Sequence, residues 1–174
     1  MRLPDPRNAG SGNPGTTNVL RIGGKFPAFL TFMGDVLKAA IPVLLAKAYG
    51  LSPLHLSIIL FAAFLGHLYP IFFQLKGGKG IATFFGGLLA LSWPLGLAVL
   101  LTWILVALLF RISSLAALTS TLLALLYNHW LGNTAYYPVL VLILLLIFWR
   151  HHSNIRRLLS GHEPRIGKKK SLKK

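Results

Sequence analysis

The sequence predicts an all-α, polytopic membrane protein, and two observations lead to that prediction. Hydrophobic residues make up 55% of the 174 residues, and only three residues are acidic. The hydrophobic residues also fall in long, nearly uncharged runs, and a run of about 20 apolar residues is a candidate membrane-spanning helix. The runs cover residues 26–46, 51–73, 81–110, 112–131 and 136–149. Because the length suits one domain, we expect residues 1–174 to form a single integral membrane unit.

The run 81–110 is long enough to contain two membrane segments. Pro94 lies inside it and disfavours helical geometry at the residue before it. We therefore divide the run into segments 81–92 and 94–110, which makes six membrane segments in all. The first of the two would rise only about 18 Å as a helix, whereas the bilayer core is about 30 Å thick. We expect that segment to be tilted, partly re-entrant or extended by Lys79 and Gly80.

The distribution of charge predicts the orientation of the segments. The net charge is +15, and the Lys and Arg residues lie between and after the apolar runs. An excess of Lys and Arg is typical of cytoplasmic loops. If the N-terminal loop lies in the cytoplasm, six crossings place every strongly basic loop on the cytoplasmic side. Residues 161–174 then form a basic cytoplasmic tail. The predicted partner of that tail is anionic lipid.

Nucleic acid is not a predicted partner of this chain. Five lysines near the C-terminus could bind nucleic acid only in a salt-sensitive, sequence-independent way, and that function would leave the other loops unexplained. These lysines are Lys168, Lys169, Lys170, Lys173 and Lys174. The chain has no cysteine, which excludes disulfides and thiolate chemistry.

Four polar clusters fall on the predicted cytoplasmic side. They cover residues 10–21, 76–80, 111–114 and 150–157, and none of them contains a carboxylate. Each cluster joins small or flexible residues to a cation or a hydroxyl. This composition is typical of a site for an anion such as a phosphate.

The first cluster contains the pattern G-x-G-x-x-G at Gly10, Gly12 and Gly15. A dinucleotide site would need a strand before this pattern and a helix that opens inside it. Here nine polar, Pro-containing residues precede the pattern, and Asp35, at the spacing expected for the ribose ligand, lies in an apolar run. Two interpretations stay open: the loop presents backbone N–H groups to another kind of phosphate, or it is a flexible surface loop.

The second cluster, Lys76 to Gly80, reads KGGKG. It is not a P-loop, because no Ser or Thr follows Lys79. It forms either a second phosphate cradle or a tight turn with two membrane-anchoring lysines. A tight turn alone does not explain three glycines around Lys79.

Several ionisable residues near these clusters have two possible roles. Asp35 and Lys38 share a helix face, and a lone charge near the bilayer centre costs about 3 kcal/mol or more. We therefore expect a pair that orients helices or holds the loop cations in place. His67 is either a core histidine or a residue that lines the site. His151, close to Asn154, is either a base or a hydrogen-bond donor to phosphate, or it is part of an interfacial basic helix.

The available side chains limit the chemistry. No catalytic triad can be assembled, and no two carboxylates converge for metal-dependent phosphoryl transfer. A site made of donors and cations can still bind two phosphates and align them, and positioning alone lowers a barrier substantially. This arrangement suits an activated donor from which phosphate leaves.

Five stretches carry a family resemblance, and they occur in the family's order over nearly all of the chain. They are GSGNPGTTNVLR (10–21), GD followed by Lys38 (34–38), GHLYPIFFQLKGGKGIAT (66–83), R-x-SSLA (111–116) and RHHSNIRRLLSG (150–161). Together they resemble the bacterial acyl-phosphate:glycerol-3-phosphate acyltransferases, the PlsY family. The resemblance implies a multi-pass enzyme of the inner membrane that transfers a fatty acyl group from acyl phosphate to the 1-hydroxyl of sn-glycerol 3-phosphate. The products would be lysophosphatidate and inorganic phosphate, and no metal or other cofactor would be needed.

The resemblance also implies roles for individual residues. The Ser11 loop would hold the phosphate of acyl phosphate, and the base would be a substrate phosphate oxygen or His151. The candidate catalytic residues are Ser11, Arg21, Lys79, Ser114, His151 and Asn154, and all of them except Ser11 would hold glycerol 3-phosphate. The candidate phosphate ligands are Gly10, Gly12, Asn13, Gly15, Thr17, Asn18, Lys76, Gly77, Gly78 and Gly80. The candidate supporting residues are Asp35, Lys38 and His67.

The chain departs from the family at two places, and one other class of function remains. Family members begin with an apolar helix before the GSGN loop and would have seven spans, so we expect six spans here and an N-terminally incomplete unit. His152-Ser153 stands where we expect Arg-Glu.

The alternative function is a membrane anion transporter, which predicts internal repeats and matched broken helices. The sequence shows no such repeat, which favours the enzyme.

Overall fold

The computed structural model describes residues 3–167, and every regular element in that part of the chain is a helix. The all-α prediction is therefore confirmed. The α-helices are α1 (Thr16–Gly23), α2 (Lys25–Ala48), α3 (Pro53–Leu68), α4 (Ile81–Leu91), α5 (Trp93–Phe110), α6 (Ser113–Trp130), α7 (Tyr137–Arg150) and α8 (His152–Leu159). Short 3-10 turns lie at Ile71–Phe73 and Thr134–Tyr136.

Helices α2 to α7 occupy the six predicted membrane segments. The predicted break before Pro94 is present, because α4 ends at Leu91 and α5 begins at Trp93. Within residues 3–167, three helices are long and apolar enough to cross a membrane: α2, α3 with the turn that follows it, and α5. Helices α7 and α8 add a fourth span if this pair, bent by 62°, is counted as one. The prediction of six crossings is therefore not confirmed.

Helix α4 is a short, largely buried core helix that packs against α2 and α3. Its glycines allow that close approach: a Cβ on Gly86 would lie 2.2 Å from the Val36 carbonyl oxygen, and one on Gly87 would lie 1.9 Å from Leu60 Cδ1. At the far end of α4, the Lys47 ammonium lies 3.3 Å from the Leu91 carbonyl oxygen. A cation there complements the negative end of the helix dipole.

The last described residues fold back onto the helical body. The Ile166 amide donates to the Arg111 carbonyl oxygen at 2.6 Å, and Arg111 Nη2 donates back to the Ile166 carbonyl oxygen at 3.2 Å. We call residues 161–167 the C-terminal strap. The strap runs past the first turn of α6, where the third polar cluster lies. The lysines predicted to attract anionic lipid, from Lys168 onwards, lie outside the described residues.

Candidate active site

Lys79 joins the second polar cluster to the fourth. Its ammonium donates a hydrogen bond to Asn154 Oδ1 in the first turn of α8. Burial lowers the pKa of Lys79 to about 8, the Glu163 carboxylate raises it, and three nearby arginines lower it further. Those arginines are Arg157, Arg150 and Arg21. Lys79 is therefore still mainly cationic at pH 7, and it lies in a strongly positive region.

Arg150 holds the KGGKG loop in place. Its Nη2 donates to the carbonyl oxygens of Gly77 at 2.7 Å and Gly78 at 3.0 Å. Its Nε lies 3.3 Å from the Gly78 oxygen. The planar guanidinium thus fixes two consecutive peptide groups just before Lys79. Sequence reasoning placed Arg150 at the start of the fourth polar cluster and missed this role.

The three glycines of the loop are required by its packing against α3. A Cβ on Gly77 would lie 2.0 Å from the His67 carbonyl oxygen, and one on Gly78 would lie 2.3 Å from His67 Nε2. Gly80 has φ +83°, and its Cβ would lie 2.1 Å from the Phe64 ring. These contacts explain the glycines that a simple tight turn left unexplained.

The predicted pair of Asp35 and Lys38 is present and extends to His67. Lys38 Nζ lies 2.6 Å from Asp35 Oδ1 and 2.5 Å from His67 Nδ1. His67 Nδ1 also lies 3.3 Å from Asp35 Oδ1. The buried His67 ring is therefore held on one side by this pair, and on its other side it contacts Gly78. The pair links α2 to α3 and also supports the loop.

His151 is buried and neutral at physiological pH. Its Nδ1 lies 2.8 Å from the Ile147 carbonyl oxygen, so Nδ1 carries the proton and donates it there. Burial and the neighbouring Lys79 charge lower the pKa of His151 to about 4. In this tautomer Nε2 is an acceptor. His151 can therefore accept a hydrogen bond, or a proton, from a hydroxyl group.

Glu163, in the C-terminal strap, was missed by sequence reasoning. Its Oε1 accepts hydrogen bonds from Ser114 Oγ at 2.7 Å and Asn154 Nδ2 at 2.5 Å, and its Oε2 accepts one from Arg157 Nε at 2.7 Å. Burial raises the pKa of Glu163, but these hydrogen bonds and the Arg157 charge outweigh it and leave the pKa below its ordinary value. The site that the polar clusters form therefore also includes a carboxylate, which comes from outside the four clusters. A lone acid in a basic tail was the only available signal.

Asn18 shapes the glycine-rich loop from inside. Its Oδ1 accepts from the Ser11 amide at 2.8 Å, and its Nδ2 donates to the carbonyl oxygens of Pro6 and Ala9, each at 2.9 Å. Asn18 is 1% exposed, and a Cβ on Gly10 would lie 2.2 Å from its Oδ1. The loop thus has a defined internal structure, which speaks against the interpretation as a flexible surface loop. Asn18, predicted as a phosphate ligand, uses its amide for this brace.

The glycine-rich loop lies beside the third cluster. Thr17 Oγ1 is 3.2 Å from Ser113 Oγ, next to Ser114 in the first turn of α6. Arg21 lies on the same helix as Thr17 and is close enough to influence Lys79 electrostatically. Lys76 is exposed, and its Nζ lies 3.5 Å from Gln74 Oε1. The structure thus brings the four predicted clusters together, with Lys76 at their edge.

The site has the composition of an anion site and not of a metal centre. Among residues 3–167, no group of three or more His, Asp or Glu side chains lies close enough together to hold a metal ion. Cations, hydroxyls and amides dominate instead, and they converge from the loops and the first turns of α6 and α8.

These features define the class of the protein: an all-helical membrane protein whose loops build a cationic site. A family model described as glycerol-3-phosphate acyltransferase matches residues 1–161. The chain belongs to this family.

The chain is similar to named members of the family over almost all of its length. It is 54% identical to a glycerol-3-phosphate acyltransferase of Methylococcus capsulatus over 171 residues, which is 98% of this chain and 86% of the relative. It is 51% identical to one from Vibrio campbellii over 174 residues, which is all of this chain and 85% of the relative.

Two solved structures share the fold. Both are crystal structures of PlsY, described as an integral membrane glycerol 3-phosphate acyltransferase. The glycerol 3-phosphate form has a TM-score of 0.89 and 43% identity, covering 94% of this chain and 83% of that one. The lysophosphatidic acid form has a TM-score of 0.85 and 42% identity, covering 90% and 81%. The resemblance to PlsY is therefore confirmed.

Proposed function

We propose that this protein transfers a fatty acyl group from acyl phosphate to the 1-hydroxyl of sn-glycerol 3-phosphate at the cytoplasmic face of a bacterial inner membrane. The products are lysophosphatidate and inorganic phosphate. The observation that carries the proposal is the position of Lys79. It lies on a loop that is fixed by Arg150, beside a neutral His151, and bonded to Asn154. Family membership supports the acceptor, glycerol 3-phosphate.

The acceptor's phosphate binds among the cations. Lys79 is half-buried, so its attraction to a phosphate is screened less than that of a surface lysine. Arg21 and Arg157 add positive charge from α1 and α8. The binding energy of the phosphate is used to orient the glycerol part toward His151.

The donor's phosphate binds at the glycine-rich loop around Ser11. The contact between Thr17 Oγ1 and Ser113 Oγ holds this loop against the first turn of α6, which supports a donor site next to the acceptor site. The acyl chain extends into the apolar interior or the bilayer. The 1-hydroxyl oxygen attacks the acyl carbonyl carbon, and the bond between that carbon and the phosphate oxygen breaks. The hydroxyl proton ends on the released phosphate, either directly or through His151 Nε2.

The test is phosphate release from palmitoyl phosphate by the purified protein in phospholipid nanodiscs, with and without glycerol 3-phosphate. We expect release that depends on glycerol 3-phosphate, together with lysophosphatidate detected by mass spectrometry. Lys79→Ala should abolish both. Lys25→Ala is the matched control, since Lys25 is an exposed lysine at the start of α2, and it should retain activity.

Two results would overturn the proposal. If the wild-type protein uses palmitoyl coenzyme A and not palmitoyl phosphate, the donor is wrong. If it binds glycerol 3-phosphate and moves it across sealed vesicles without acylating it, the protein is an anion transporter.

A further inference from the structure

The hydroxyl of Ser114 has a single proton, and the structure shows where that proton is used. Ser114 Oγ donates to Glu163 Oε1 at 2.7 Å. Both groups are buried: Ser114 is 6% exposed, and the Glu163 side chain is 7% exposed. A carboxylate can only accept hydrogen bonds, so the hydroxyl must be the donor. Toward any other partner, Ser114 Oγ can therefore act only as a hydrogen-bond acceptor.

The other contacts of Glu163 fix its charge state and the direction of the network. Asn154 Nδ2 and Arg157 Nε also donate to this carboxylate, and three donors, one of them a guanidinium cation, favour the ionised form. Asn154 Oδ1 in turn faces the ammonium of Lys79, which can only donate. The orientation of the Asn154 amide is therefore determined by Glu163 on one side and Lys79 on the other.

The direction of the hydrogen bond from Ser114 to Glu163 determines which substrate groups Ser114 can bind. Phosphate oxygens accept hydrogen bonds, and Ser114 has no proton left to offer them. A substrate hydroxyl donates, and Ser114 Oγ is free to accept from it. Glycerol 3-phosphate has two hydroxyls, and the neutral His151 Nε2 is the acceptor suited to the reacting one.

We propose that Ser114 accepts a hydrogen bond from the 2-hydroxyl of glycerol 3-phosphate, and that Glu163 is the positioning residue that makes Ser114 an acceptor. This proposal rests on the proposed function and refines it. The resemblance to the family implies that Ser114 holds glycerol 3-phosphate without saying which part. The geometry points to the glycerol part and makes Ser114 and Glu163 determinants of acceptor specificity.

The C-terminal strap keeps Glu163 in place. The two hydrogen bonds between Arg111 and Ile166 fix the backbone three residues beyond Glu163. The carboxylate also lies at the first turns of α6 and α8, where a negative charge is favoured by the helix dipoles. If the strap left the site, Ser114 would regain a free proton and could donate to phosphate. The experiment below separates these two states.

The test compares two acceptors that differ only in the 2-hydroxyl. 3-Hydroxypropyl phosphate keeps the reacting hydroxyl and the phosphate of glycerol 3-phosphate but lacks the 2-hydroxyl. With palmitoyl phosphate as donor, kcat/KM is measured for both acceptors. We expect the wild-type protein to prefer glycerol 3-phosphate by about tenfold, which corresponds to one hydrogen bond at the upper end of the usual range. In Ser114→Ala this preference should fall to within about twofold.

A matched measurement separates the hydroxyl from the phosphate. The inhibition constant of inorganic phosphate should be the same, within about twofold, in Ser114→Ala and in the wild-type protein. An equal loss of kcat/KM for both acceptors, together with weaker inhibition by phosphate, would overturn the proposal. So would an undiminished preference for glycerol 3-phosphate in Ser114→Ala.

Glu163→Gln tests the positioning role. In Glu163→Gln, the amide can donate a hydrogen bond to Ser114 Oγ. The Ser114 hydroxyl is then free to donate its own proton to the substrate, so the preference for glycerol 3-phosphate should fall as in Ser114→Ala. A purely structural role would lower kcat/KM equally for both acceptors and leave the preference unchanged, which would refute the role given to Glu163. If Glu163→Gln does not fold, as judged by its Tm in detergent, the Ser114 series decides the proposal. If the wild-type protein acylates neither acceptor, the proposed function itself fails.

Discussion

Gly78→Ala tests whether the shape of the KGGKG loop controls the reaction. The added Cβ would lie 2.3 Å from His67 Nε2 and 2.8 Å from His67 Cε1. Comfortable contacts between such atoms begin near 3.5 Å, so the loop or the ring must move by about 1 Å. The φ angle of Gly78 is not positive, so steric contact is the only penalty.

The ring is the less movable of the two partners. It is buried, and its other side is held by Lys38 and Asp35. The loop therefore shifts, and the ammonium of Lys79 shifts with it. Overpacking of this kind costs about 1–3 kcal/mol of stability. A displacement of about 1 Å in a positioned group lowers the rate by about 100-fold.

The assay is kcat/KM for glycerol 3-phosphate, with Tm measured on the same preparation. The matched control is Gly66→Ala in α3, because a Cβ on Gly66 meets nothing within 4 Å. That change should leave kcat/KM within about twofold, and alanine at a helical position should raise stability by up to about 1 kcal/mol. If Gly78→Ala keeps more than half of the wild-type kcat/KM, the loop does not position Lys79 in the way described.

Three further predictions follow from the site. The pH profile of kcat/KM should have an alkaline limb near 8, where Lys79 in the free protein loses its proton, and protonation of His151 should add an acidic limb near 4, because only the neutral ring accepts a hydrogen bond from the substrate hydroxyl; an alkaline limb near 10.5, the ordinary value for lysine, would show that burial does not perturb Lys79. Arg150→Lys should lower kcat/KM about tenfold, because an ammonium cannot hold two loop carbonyls as the guanidinium does, and an unchanged value would contradict this anchoring role. Asn18→Ala leaves the loop donors and acceptors unpaired, which should lower the free energy of unfolding by about 1–3 kcal/mol and so lower Tm. It should also raise the KM for palmitoyl phosphate, and an unchanged Tm would contradict the role of Asn18 as a brace.

The helices could be predicted from the sequence, but their relation to the membrane could not. Apolar runs and Pro94 placed α5 and α6 within a residue or two of their observed ends. Hydropathy reports how apolar a segment is and not what covers it. Helix α4 is as apolar as a lipid-facing helix, yet protein surrounds it, and its glycines at 86 and 87 contact α2 and α3. A count of crossings from hydropathy therefore fails at this helix.

The parts of the site that could be predicted are those with a local signature. Glycines around Lys79 and a His near an Asn at a helix start are visible in short windows of sequence. Glu163 and Arg150 have no such signature, because their roles depend on contacts with residues 49 and 72 positions away. Asn18 was placed in the correct loop, but a sequence pattern cannot tell whether an amide faces a ligand or the loop's own backbone.

The single carboxylate in a site full of cations has a physical reason. Lys79 and its three neighbouring arginines repel one another, and burial further disfavours the charge on Lys79. Glu163 opposes both effects, since its negative charge raises the pKa of Lys79. A second carboxylate would compete with a phosphate for the same cations. One carboxylate, with its oxygens occupied by Ser114, Asn154 and Arg157, keeps the lysine charged and leaves the site positive enough to bind an anion.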